Sequence, residues 1–226
     1  MSNQNSDQVR GAVREVYANV ARGNSPGCCG AGACGPGPEG SLALGYSNDD
    51  LAAVPEGANL GLGCGNPQMI ANLSEGETVL DLGSGAGFDC FLAAARVGPQ
   101  GRVIGVDMTP DMVSKARDNA AQQGAENVEF RLGEIERLPI ADQSIDLIMS
   151  NCVINLSPDK VAVFDEAFRV LKPGGRLAIS DVVALQPMPV QLAEDLAALA
   201  GCVAGAVEVH SFEDMLATSG FEGIKV

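Results

Sequence analysis

Two groups of residues in this sequence could do chemistry. The first is a glycine turn, Val79-Leu80-Asp81-Leu82-Gly83-Ser84-Gly85-Ala86-Gly87. An apolar, strand-like run meets an acidic residue, passes into closely spaced glycines, and gives way to an apolar helical stretch from Phe88. Glycines at such a turn let the backbone approach a bound molecule at a helix N-terminus. Asp107 ends the next apolar run, where its carboxylate can accept hydrogen bonds from both hydroxyls of a ribose. The second group is thiols. Cys64 stands in Gly61-Leu62-Gly63-Cys64-Gly65-Asn66, Cys152 in Ser150-Asn151-Cys152-Val153-Ile154-Asn155-Leu156, and Cys202 in Ala200-Gly201-Cys202-Val203-Ala204-Gly205.

The turn's chemistry discriminates between ligands. A pyrophosphate is disfavoured by Asp81, and Phe88 stands where the dinucleotide fingerprint wants Gly or Ala. S-adenosylmethionine carries no phosphate, and its ammonium and sulfonium tolerate an acidic neighbourhood. The methyl donor is therefore preferred to a dinucleotide, and a glycine turn with no ligand is the bland alternative.

The elements that must position these groups follow from periodicity. A helix is expected over about 7–21, from the spacing of Val9, Val13, Val16, Tyr17 and Val20. Residues 23–40, rich in Gly, Pro and Cys, read as a loop. Ser47 can cap a short helix, and Asn66-Pro67 opens another. Strands are expected at 78–82, 103–107, 128–131, 145–150 and 176–180. Helices are expected from the glycine turn to 97 and at 110–123, 159–171, 190–200 and 212–219, with a further strand starting at 222–226. Alternation of this kind gives a doubly wound, mostly parallel α/β sheet with right-handed crossovers. In such sheets ligands sit outside the carboxyl ends of the strands. Cys152, just past the fourth strand, then lies where an acceptor beside the donor belongs. A lone cysteine there is more often a small buried hydrophobe. Cys64 on its glycine loop and Cys202 after the fifth strand can return to the same face, and three thiols suit a soft, thiophilic centre. Zinc competes for such a site but favours four Cys or His ligands, and the chain has a single His, His210, read as a surface or helix-capping residue. Cys28, Cys29 and Cys34 are a second, weaker zinc or iron–sulfur possibility.

Composition bounds these readings. The 226 residues carry a formal charge of −15, with 46% apolar and 19% charged side chains. So acidic a surface repels phosphate backbones, which argues against nucleic acid. No apolar run approaches the roughly 18 residues of a membrane span. The N-terminus lacks a secretory pattern, so a cytoplasmic location and a monomer are expected. Seven cysteines there are mostly thiols, and an odd number excludes a complete internal disulfide framework.

The stretch 73–180, with Leu171-Lys172-Pro173-Gly174-Gly175, resembles the class I methyltransferases. Asp81-Leu82-Gly83-Ser84-Gly85 with Asp89-Cys90, Gly105-Val106-Asp107-Met108-Thr109, and Ser150 to Leu156 further resemble the arsenite methyltransferase family. The resemblance runs from about Val9 to Val226, without the C-terminal region that family members usually carry. It implies that Asp81, Gly83, Ser84, Gly85, Asp107, Met108, Glu134, Ile135 and Asn151 bind the cofactor. Asp81 would support its methionine end, Met108 would pack against the adenine, and 133–135 would flank that base. It implies that Cys64, Cys152 and Cys202 hold arsenic(III), supplied as arsenite or an arsenic–thiol conjugate. Cys34 is the favoured redox helper, and a thiol cosubstrate of glutathione or thioredoxin type is the reductant. The expected outcome is methylated arsenicals, made for detoxification. The domain reading is 1–72 as N-terminal helices with the Cys/Gly-rich arsenic-site loop, covering the site, and 73–226 as the S-adenosylmethionine-binding domain. A methyltransferase acting on a small organic acceptor and a non-enzymatic metalloid-binding protein are the alternatives.

Overall fold

The computed structural model describes residues 6–24, 39–186, 188–189 and 202–226. The helix expected at 190–200 and the loop cysteines Cys28, Cys29 and Cys34 lie outside the described residues.

Five parallel strands form one sheet: β1 (Thr78–Leu82), β2 (Arg102–Asp107), β3 (Val128–Leu132), β4 (Ile145–Asn151) and β5 (Leu171–Ser180), in the order β3-β2-β1-β4-β5. The central strands are apolar on both faces, as strands covered on both sides must be. Leu80, Leu82, Ile104, Val106 and Ile148 point to one face. Val79, Val103, Leu147 and Met149 point to the other. The first face is covered by α7 (Lys160–Val170) and α8 (Val209–Thr218), whose Phe164 and Phe212 meet edge-on with centroids 5.1 Å apart. The second is covered by α5 (Phe88–Val97) and α6 (Pro110–Gln123). β1 pairs with β2 on one side and β4 on the other. The winding therefore reverses between β1 and β4, and a crevice opens at their carboxyl ends.

The N-terminal part supplies a cover. In α1 (Ser6–Ala21), Val9, Val13, Ala18 and Val20 are buried. Arg22, just beyond it, grips Asp111 at the start of α6, with N···O distances of 2.7 and 3.0 Å. The short helices α2 (Glu39–Ala43), α3 (Asn48–Ala53) and α4 (Gln68–Ala71) follow. Ser47 and Asp50 form a reciprocal capping box on α3. The Asn66 side chain accepts from the Gln68 N–H at 3.0 Å, closing the first turn of α4.

Two expectations need correction. β5 begins at Leu171 rather than Arg176, because a register shift lets Ile145 pair with Leu171 before Leu147 pairs with Arg176. The strand expected at 222–226 does not form. Gly223 has φ +67°, outside the extended region, and breaks the run. Phe221 and Ile224 instead pack on the core beneath α7 and α8.

Candidate active site

The glycine turn leaves β1 at the crevice. Gly83 has φ +66°, and a Cβ there would meet the Val153 side chain at 2.4–3.1 Å, so this step tolerates only glycine. The turn delivers Gly83, Ser84, Gly85 and Ala86 to the wall of a cavity. Asp107 stands opposite, at the end of β2. Its Oδ2 accepts the Gly85 N–H at 2.9 Å and its Oδ1 accepts the Thr109 N–H at 2.8 Å. Each oxygen keeps a second lone pair for a ligand. Burial raises this carboxyl above its ordinary range.

Behind the turn lies a network of buried acids. Burial, then the charge of Asp89, push Asp81 well above the usual carboxylate range, and Cys90 donates to it at 3.2 Å. Asp89 accepts from Tyr46 Oη at 2.8 Å, Asn151 Nδ2 at 3.1 Å and Gln68 Nε2 at 3.4 Å, while burial raises its own pKa. Burial and Asp89 push the Tyr46 hydroxyl far up. Among the described residues that line the cavity, Arg10 from α1 is the one Lys or Arg, against the carboxyl groups of Asp81, Asp89, Asp107 and Glu136. Arg10 itself pairs with Glu134 at 3.4 Å and Glu136 at 3.3 Å. The cavity therefore favours a cationic group.

The thiols gather beside this cavity. Asn151 ends β4, and Cys152 follows with φ +57°, a left-handed conformation that few side chains adopt. Cys202 has φ +62°. Two non-glycine residues in this strained region thus pack against each other beside the cavity. The Cys202 thiol donates to the Cys152 carbonyl at 2.9 Å. Hydrogen bonding with the Cys202 and Cys64 thiols, reinforced by burial, raises the pKa of Cys152. Cys64 arrives on its glycine loop. The Asn151 side chain clamps that loop, accepting the Cys64 N–H at 3.2 Å and donating to the Gly65 carbonyl at 3.0 Å. The Cys64 thiol donates to the Ser180 carbonyl at 3.6 Å. Val13 of α1 packs on Cys152 and Cys202, with Tyr17, Cys64 and Met108 at the margin.

A strand-to-glycine-turn cavity with an acid on β2, at the reversal point of a 3-2-1-4-5 sheet, agrees with what sequence comparison finds. Residues 73–220 match the methyltransferase-domain family. The chain belongs to that family. Its methyltransferase fold is also that of the arsenic(III) S-adenosylmethionine methyltransferase from Chlamydomonas reinhardtii, with a TM-score of 0.65 and 38% identity over 82% of this chain and 62% of that one. An arsenite methyltransferase of Halobacterium salinarum is 54% identical over 100% of this chain and 60% of its own length. The human arsenite methyltransferase is 41% identical over 64% of this chain and 40% of its own. The chain thus spans at most about three fifths of the length of these curated relatives.

In this methyltransferase domain the cavity is lined by Asp81, Gly83, Ser84, Gly85, Asp107, Met108, Ile135, Asn151 and Cys152. Glu134 is not among the lining residues. Its carboxylate is drawn to Arg10 and Arg14 on α1, and Glu136 reaches the cavity instead. Cys90, on α5, is fully buried in the core, and His210 lies exposed beside Glu213. Sequence reasoning missed Tyr46, Asp89, Asn155 and Asp181. Asn155 Nδ2 donates to Asp181 at 2.8 Å and to the Val182 carbonyl at 2.6 Å, and lies 3.4 Å from the Cys202 carbonyl. Asp181 directly follows β5, and a polar residue just past a strand's carboxyl end was the available signal. Tyr46 and Asp89 gave none, because their meeting depends on the path of the N-terminal segment.

Proposed function

We propose that this chain binds S-adenosylmethionine at the carboxyl ends of β1 and β2 and methylates arsenic(III) held by Cys64, Cys152 and Cys202. The observation that carries the reading is Cys152 on the wall of a cavity rich in carboxylates, with Cys64 and Cys202, which do not line it, packed beside Cys152. The names of the relatives from Halobacterium, human and Chlamydomonas support it. The residues fit the cofactor: Asp107 offers lone pairs to ribose hydroxyls, and Asp81 and Asp89 favour its positive groups. The buried Ser84 Oγ has no hydrogen-bond partner among the described residues, which leaves it available to a ligand. Bound there, S-adenosylmethionine supplies an electrophilic methyl group.

The protein's own task is to hold arsenic in line with that methyl group. Thiols, with an ordinary pKa of about 8.5, must lose protons to become ligands. Arsenous acid solves this locally: each As–OH and S–H pair becomes As–S plus water, so no net proton is released. The raised pKa of Cys152 is then no obstacle. Three thiolates leave the arsenic lone pair free to attack the methyl carbon as its bond to the sulfonium breaks; that bond's electron pair returns to sulfur, the neutral thioether S-adenosylhomocysteine leaves, and no general base is required. The protein's contribution is placement, which can be worth about 7–11 kcal/mol. Methyl transfer raises arsenic formally by two oxidation levels. Two thiolates joining as one disulfide return two electrons, and a glutathione- or thioredoxin-type thiol then restores the cysteines. The physiological role of such chemistry is arsenic detoxification.

Cys152→Ser and Cys202→Ser are expected to abolish tight arsenite binding in calorimetric titrations while S-adenosylmethionine still binds. Arsenite affinity equal to the parent's in either variant would refute the thiol site.

A further inference from the structure

The thiol cluster contains a group that an arsenic site does not need. Cys64 Sγ, Cys152 Sγ and a carboxylate oxygen of Asp181 all lie within 4.8 Å of one another. Ligands on a tetrahedral zinc ion, with bonds of about 2.3 Å to sulfur, stand roughly 3.8 Å apart. Closing the cluster onto such an ion therefore takes side-chain rotation, not backbone movement.

Asp181 is held for the task. Its Oδ1 accepts from Asn155 Nδ2 and the Val182 N–H, both at 2.8 Å, and its Oδ2 accepts the Asn155 N–H at 3.2 Å. These bonds fix the carboxylate's direction, fill both lone pairs of Oδ1 and leave one on Oδ2 for a ligand. The nearby Lys160 ammonium is turned to the carbonyls of Ser157 at 3.1 Å and Asn155 at 3.5 Å. Among the described residues no salt bridge to Asp181 is formed.

Charge and geometry separate the two guests. Three thiolates neutralise arsenic(III), and its lone pair fills the remaining direction, so a carboxylate facing it adds only repulsion. Two thiolates and a carboxylate carry three negative charges, which a divalent cation attracts and a tetrahedral ion can use. We propose that Cys64, Cys152 and Asp181 form a binding site for a thiophilic divalent cation, zinc or cadmium, that excludes arsenite. Binding converts two thiols to thiolates and releases two protons, with no redox change. The exclusion of arsenite, though not the cation site itself, rests on the arsenic reading above.

The test uses the reduced full chain titrated with cadmium chloride, following thiolate-to-cadmium charge-transfer absorption. One cadmium per chain is expected, with the band lost in Cys152→Ser. Asp181→Asn is expected to weaken cadmium roughly tenfold or more while arsenite affinity stays near the parent's. Circular dichroism and S-adenosylmethionine binding verify that each variant is folded. Absence of the band in the parent, or equal cadmium affinity in Asp181→Asn, overturns the site. Equal weakening of cadmium and arsenite also overturns it, because Asp181 would then only support the cluster's shape. Cadmium and arsenite bound to one chain at the same time, each with the affinity it has alone, leaves the cation site standing and refutes the arsenic reading instead.

Discussion

Gly65→Ala is the substitution whose consequence can be worked most directly from the coordinates. A Cβ at residue 65 would overlap Ser180 Oγ and stand 3.2 Å from Ser180 Cβ. Ser180 ends β5 with its backbone paired to Asn151, so its hydroxyl must rotate away while its Cβ stays close. Its carbonyl accepts the Cys152 N–H at 2.8 Å, so moving it disturbs a second site cysteine. Overpacking of this kind costs about 1–3 kcal/mol. The strain falls on the loop carrying Cys64, so arsenite affinity should fall while S-adenosylmethionine affinity is kept. Adding Ser180→Ala removes the hydroxyl and leaves only the 3.2 Å contact, which a few tenths of an ångström relieve. The double variant should therefore recover most of the loss, a coupling of about 1 kcal/mol or more. The chain has no Trp, so urea unfolding is followed by circular dichroism. Additive effects of the two substitutions, or a Gly65→Ala protein as stable as the parent, would refute the packing argument.

Other perturbations test other links. Asp107→Asn turns an N–H toward either Gly85 or Thr109, both donors, and should cost about 1–3 kcal/mol of S-adenosylmethionine affinity by calorimetry; undiminished affinity would contradict the assignment of Asp107. Tyr46→Phe removes the shortest donor to buried Asp89 and should lower stability by about 1.5–3 kcal/mol, read as a reduced urea midpoint; an unchanged midpoint would show that Asp89 is satisfied without it. Glu77 is held below the usual carboxylate range chiefly by Arg176, with N···O distances of 2.6 and 2.9 Å. A depressed carboxyl stabilises the fold above its unfolded pKa of about 4.3, and that contribution is lost as pH falls through the lower folded value. The stability gap between parent and Glu77→Gln should accordingly be widest near neutrality and close in acid; a gap independent of pH would refute the pairing.

The fold was legible because its signals are local. The apolar β1 run, the Pro110 start and Gly124 end of α6, and the Ser47 capping box are each written within a few residues. The glycine turn and Asp107 were legible for the same reason, since β1 and β2 are neighbours in sequence as well as in the sheet. The convergence of Cys64 and Cys152 could be anticipated from topology, because residues past strand ends share one rim. What sequence could not show depends on long-range packing. Glu134 is taken out of the cavity by Arg10 and Arg14, more than a hundred residues away. Asp181 joins the thiols only through β4–β5 pairing, and the 222–226 strand is cancelled by the backbone of Gly223, whose side chain gives no hint of it.

Transfer of labelled methyl from S-adenosylmethionine to arsenite, with the parent and Cys152→Ser compared in the presence of a dithiol reductant, tests the central claim most directly. The account predicts label in methylated arsenic with the parent and none with the variant, although both bind S-adenosylmethionine. Label that never reaches arsenic, or that reaches it equally with Cys152→Ser, would contradict it.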